Sequence, residues 1–91
     1  MIVVKRQGIK ERFDERKVYG SIYGACTAVN YNEKKCERIA DAISKKIRRF
    51  VKKKKLVSST DIRKTVRHEL EKINKELAFF YEKHLPNLKK L

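Results

Sequence analysis

Apolar residues recur at helical spacing through most of this chain, and that period limits it to a mostly helical fold. Val18, Ile22, Ala25 and Val29 step by four, three and four, which lines one face of a helix. Cys36, Ile39, Ala40, Ile43, Ile47 and Phe50 or Val51 form a second stripe, and Ile62, Val66, Leu70 and Ile73 a third. Leu77, Phe80 and Tyr81 make a shorter fourth stripe, expected to stop by Leu85 because Pro86 restricts the residue before it. Start signals stand in front of the stripes: Asp14 before the first, Asn32 and Glu33 before the second, and Ser58 with Asp61 before the third. Asn30 suits the end of the first helix.

The opening follows a different period. Ile2, Val3 and Val4 are β-branched, Gln7-Gly8 offers a turn, and residues 9–13 can return antiparallel. Two strands alone are marginal in water, so such a hairpin has to rest on the helices that follow. The expected fold class is therefore α+β, mostly α: a small N-terminal β-hairpin lid over a four-helix bundle. It forms one domain over residues 1–91, with a hairpin at 2–13 and helices near 14–29, 32–53, 59–73 and 74–85. A chain of 91 residues could not be split and still bury two cores. Gly20 and Gly24, four apart inside the first helix, weaken it and read as notches for close packing, with ligand approach the lesser option.

Lys and Arg number 25 against 11 Asp and Glu, and a net charge of +14 gathers polyanions around the surface. The same composition also fits the solvated, ion-rich surface of a heat-adapted protein. Lys45, Lys46, Arg48, Arg49 and the run Lys52 to Lys55 gather along one helix and its exit, which suggests a basic nucleic-acid-binding module as the alternative function. For the lysine run itself a solvated helix end is the simpler reading.

Catalytic patterns are missing: there is no HExxH, no GxSxG and no GxxxxGK loop. His68 and His84 read as surface or capping residues. Cys26 and Cys36 have no CxxC spacing and read as reduced thiols on packed helix faces, so no metal site is expected. No run nears the roughly twenty apolar residues of a membrane span, and MIVVKRQG lacks the order of a signal peptide. A cytoplasmic, non-membrane protein is expected.

The first eighteen residues bring cations and carboxylates together. Lys5, Arg6 and Lys17 can meet phosphates, while Glu11 or Asp14 can accept from an exocyclic amine of a base. Residue types alone also allow Glu11 and Asp14 to be a strand-surface and a capping charge. The stretch VVKRQGIKERFDERKVYGSIYGAC resembles the opening of the ATP-cone, a regulatory nucleotide-binding module at the N-terminus of many ribonucleotide reductases and in their dedicated transcriptional repressor. That pattern is a V-x-K-R-x-G hairpin, an acid, an aromatic-Asp or apolar-Asn pair, and a Lys followed by an aliphatic residue. VSSTDIRKTVRHEL is similar to the segment that opens the third cone helix, and the resemblance spans residues 2 to 85.

The resemblance implies ATP or dATP, with Mg²⁺, as the ligand. Lys5, Arg6 and Lys17 would hold phosphates, and Glu11 and Asp14 would read adenine with help from backbone near Val3. Ser59 would meet the phosphates and Arg63 the sugar or phosphates. The position of Arg63 is His in some reductase cones. Neither a reductase body nor a zinc ribbon accompanies the match, so the expectation is a stand-alone, non-catalytic cone. It would act allosterically, by self-association or on a partner such as a ribonucleotide reductase or another nucleotide-metabolism protein.

Overall fold

A computed structural model describes residues 2–4, 10–54 and 56–88, with side chains described over 13–54 and 56–83. Its elements are β1 (Ile2–Val4), β2 (Lys10–Arg12), α1 (Glu15–Ala28), α2 (Glu33–Lys52), β3 (Leu56–Ser58), α3 (Ser59–Ile73) and α4 (Lys75–Leu88). The fold is mostly helical. Each helix begins where a side-chain oxygen can satisfy orphan amides. The Asp14 carboxylate accepts from the Arg16 N–H, Asn32 from Lys35, and the Ser58 hydroxyl from Asp61. Asn74 serves two helices: its N–H donates to the Leu70 carbonyl at the end of α3, and its side chain accepts from the Glu76 and Leu77 amides at the start of α4. Asn30 takes a positive φ of 64° just past α1, the left-handed turn that its short polar side chain tolerates.

The apolar stripes meet in one core. Val18, Ile22, Ala25 and Cys26 of α1 pack with Cys36, Ile39, Ala40, Ile43, Ile47 and Val51 of α2, Ile62, Val66 and Leu70 of α3, and Leu77, Ala78 and Tyr81 of α4. Val51 rather than Phe50 takes the buried place at the end of α2, and Phe50 lies half-buried under the Lys54 ammonium, 4.6 Å from its ring centre. Ion pairs cross between helices at the surface: Arg48 to Glu15 (3.6 Å), Lys46 to Glu69 (3.7 Å) and Arg67 to Glu82 (2.7 Å). Among the described residues no helix is long and apolar enough to cross a membrane.

Several expectations are corrected. Residues 56–58, where the sequence predicts only the Ser58 cap, form the strand β3, which pairs in parallel with β1 in a sheet ordered β2-β1-β3. Ser58 thus ends a strand and caps a helix at once. Ile73 does not complete the inner stripe of α3 but, as the last residue of that helix, is 46% exposed beside an open groove against α2. Phe80 is half-buried, and Ala78 fills the core beside Leu77 in its place. Gly20 and Gly24 are not packing notches, since a methyl group built on either meets no described atom within 4 Å. α4 continues through Pro86 to Leu88, because a proline biases the residue before it away from helix without forbidding it. The Gln7-Gly8 turn lies outside the described residues, although β1 and β2 pair antiparallel with Val3 opposite Glu11.

Candidate functional site

The start of α1 carries two of the anticipated residues. Asp14 Oδ1 accepts from the Arg16 amide at 2.9 Å and from Arg16 Nε at 3.4 Å. The backbone N–H of Arg16 is the main reason that the Asp14 carboxyl lies below its ordinary value. One oxygen is therefore committed to the helix, and Oδ2 has no hydrogen-bond partner among the described residues. Lys17 sits in the first turn with its amide on the Asp14 carbonyl at 3.1 Å, and its side chain is exposed without an acidic partner among the described residues.

The start of α3 carries two more. Ser59 and Arg63, one turn apart, are half-buried and bonded: Arg63 Nε donates to the Ser59 carbonyl at 3.3 Å, and Nη2 to the Ser59 hydroxyl at 3.2 Å. This folds the guanidinium back over the helix start, where free amides already give positive potential. The charge of Arg63 also reaches the buried Tyr81 hydroxyl of α4. Burial pushes that phenol up to about 12, while the neighbouring Ser21 hydroxyl and Arg63 pull it the other way. Ser21 stands on α1 one turn after Lys17, and its hydroxyl donates to the Val18 carbonyl at 2.8 Å.

A polar group thus gathers Ser21 of α1 and Arg63 of α3 near the Tyr81 hydroxyl of α4, with Lys17 one turn before Ser21 and Ser59 one turn before Arg63. Sequence reading missed Ser21 and Tyr81 as members of it. Tyr81 was legible only as a core residue, and a lone Ser inside a helix carries no spacing signal.

Strand register brings the remaining described positions to the same end of the molecule. Val3 on the middle strand lies between Glu11 of β2 and Val57 of β3, and Val4 lies opposite Ser58, the residue that caps α3. Lys5 and Arg6 are outside the described residues.

Other charged groups are more fully engaged than the sequence suggests. Of the cations along α2, Lys45 is paired with Asp41, Lys46 with Glu69 and Arg48 with Glu15. Cys26 and Cys36 are both buried and free, and burial pushes the Cys26 thiol up to about 12, with Cys36 beside it adding to the rise. Among the described residues no three His, Cys, Asp or Glu side chains are grouped to hold a metal ion.

The family model described as ATP cone domain matches residues 1–83, from before β1 into α4. The chain belongs to the ATP cone domain family. A search of curated proteins gives no match. The family is one of regulatory nucleotide-binding modules. Every candidate position from Val3 to Arg63 falls inside the matched ATP cone, as do Ser21 and Tyr81. The cone's described donors are an exposed ammonium, a guanidinium anchored to a hydroxyl, and amides at a capped helix start. Such a set suits phosphate oxygens better than it suits a directly bound cation.

Proposed function

We propose that this ATP cone is a cytoplasmic, non-catalytic sensor of adenine nucleotides, binding ATP or dATP where the N-terminal hairpin closes as a lid over the starts of α1 and α3. Lys5, Arg6 and Lys17 would hold phosphates, together with Ser59 and Arg63, and Arg63 could instead meet the sugar. Glu11 and the second oxygen of Asp14 would accept from the adenine amine, with backbone near Val3 against the ring. Mg²⁺ would arrive on the triphosphate rather than on protein carboxylates. The single observation that carries the reading is the Ser59–Arg63 pair at the capped start of α3.

Binding would act as a switch only through a difference in affinity between two arrangements of the module. The output would be self-association or a contact with a partner such as a ribonucleotide reductase. Calorimetry with ATP, dATP, GTP and CTP, each with and without Mg²⁺, is the test. Saturable binding of an adenine nucleotide, tighter than GTP or CTP by roughly tenfold or more, is expected. No heat, or no adenine preference, removes the reading. Size-exclusion chromatography with and without the bound nucleotide then separates self-association from action on a partner.

A further inference from the structure

A second surface, sharing no residue with the nucleotide set, lies between α2 and the C-terminal half of α3. A groove of about 240 Å³ is lined there by Arg38, Ile39, Ala42, Ile43 and Lys46 of α2 and by Glu69, Lys72 and Ile73 of α3. Its floor and walls are apolar, and exposed Ile73 forms one lip. Its volume falls short of the roughly 300–1,000 Å³ that encloses a drug-sized molecule, so it suits an anchoring side chain better than a free ligand.

The rim is cationic. Lys72 Nζ lies 3.1 Å and Lys46 Nζ 3.7 Å from the two oxygens of Glu69, so two ammonium groups share one carboxylate. Arg38 has no acidic partner among the described residues. Three cations against one carboxylate leave two positive charges around an apolar slot. Arg38 and Lys46 are eight residues apart on one helix, about 12 Å, or roughly two turns of any helix laid alongside.

We propose that this groove receives an acidic amphipathic helix of a partner protein. One of its apolar side chains sits on Ile39, Ala42, Ile43 and Ile73, and carboxylates a turn to either side meet Arg38, Lys46 and Lys72. Helix-in-groove binding needs this pairing of an apolar anchor with a charged frame. The charge pattern selects the occupant. A second copy of a chain carrying +14 would bring like charges together. A phosphate backbone would gain nothing from the apolar floor. α3 carries both surfaces, with Ser59 and Arg63 at its start and Glu69, Lys72 and Ile73 at its end.

The test uses the full chain, ¹⁵N-labelled and free of nucleotide, so its result is independent of the adenylate measurement. Three synthetic helical peptides of about four turns, ~15 residues, serve as probes. One places leucines on one face flanked by Glu, one replaces those Glu by Lys, and one replaces the leucines by Ser. The Glu–Leu peptide is expected to shift the amides of residues 38–46 and 69–73, to saturate, and to weaken as salt is raised. Ile73→Glu, at a position 46% exposed and checked for folding by its melting curve, should weaken it by roughly tenfold or more. Equal binding of the Lys or Ser peptide overturns the proposal. So do perturbed amides confined to other surfaces, an unaltered affinity of Ile73→Glu, self-association that covers the same amides, or tighter competition there by duplex DNA.

Discussion

Replacing Arg63 by Ala probes the nucleotide reading at the point where the structure is most specific. In the free protein the guanidinium makes two bonds to Ser59, at 3.3 and 3.2 Å, both long and within one helical turn. Their loss should cost only about 1 kcal/mol of stability, near the net worth of an ordinary hydrogen bond. Binding should suffer more. A charge-assisted contact to phosphate or sugar contributes about 1.5–3 kcal/mol, which is roughly a 10- to 150-fold rise in Kd for ATP or dATP. Arg63→Lys keeps the charge but loses the planar fork, so it should fall between. Ser59→Ala removes a hydroxyl and releases the guanidinium, and the double variant should show a coupling of about 0.5–1 kcal/mol because the two groups act as one unit. Calorimetry run beside urea unfolding separates the two effects. If Arg63→Ala folds and binds an adenine nucleotide within about twofold of the parent, less than any charge-assisted bond would cost, Arg63 takes no part in binding.

Three further outcomes follow from local geometry. Ser58→Ala, which removes the hydroxyl that accepts from the Asp61 amide at 3.0 Å, should cost ~1 kcal/mol and about 4–8 °C in Tm, while Ser58→Asp should retain most of that stability. The hydrogen bond from Lys72 and the charge of Lys46 hold the Glu69 carboxyl below its ordinary 4.5 despite partial burial. Its contribution is therefore complete above about pH 4.5 and drains away as pH falls through the lower folded value. Glu69→Gln should consequently lose less urea resistance than the parent between about pH 5 and pH 3, and an equal loss would mean that this carboxylate does not stabilise the fold. Cys26, buried and pushed up to about 12, should resist a thiol reagent near pH 8 in the folded protein and react once urea unfolds it, as followed by mass spectrometry; rapid labelling of native protein would contradict the burial.

Much of this protein is local and therefore written plainly in its residues. Val18, Ile22 and Ala25, and then Ile39, Ala40, Ile43 and Ile47, announce their buried faces by period alone, and Asp14, Asn32 and Ser58 announce the helix starts by chemistry that acts over two or three residues. The Ser59–Arg63 spacing is likewise one helical turn and needs no distant partner. Pairings between remote segments are different. Three residues at 56–58 are too few to display alternation, and their strand exists because β1, more than fifty residues earlier, supplies its hydrogen bonds. Tyr81 joins Arg63 and Ser21 only because three helices converge there. Ile73 keeps the period of its stripe yet stays 46% exposed at the last residue of α3, because period alone does not say how closely a neighbouring helix approaches. Periodicity chooses which face of a helix can be buried; only the packing of whole helices against one another decides how far along that face the burial extends.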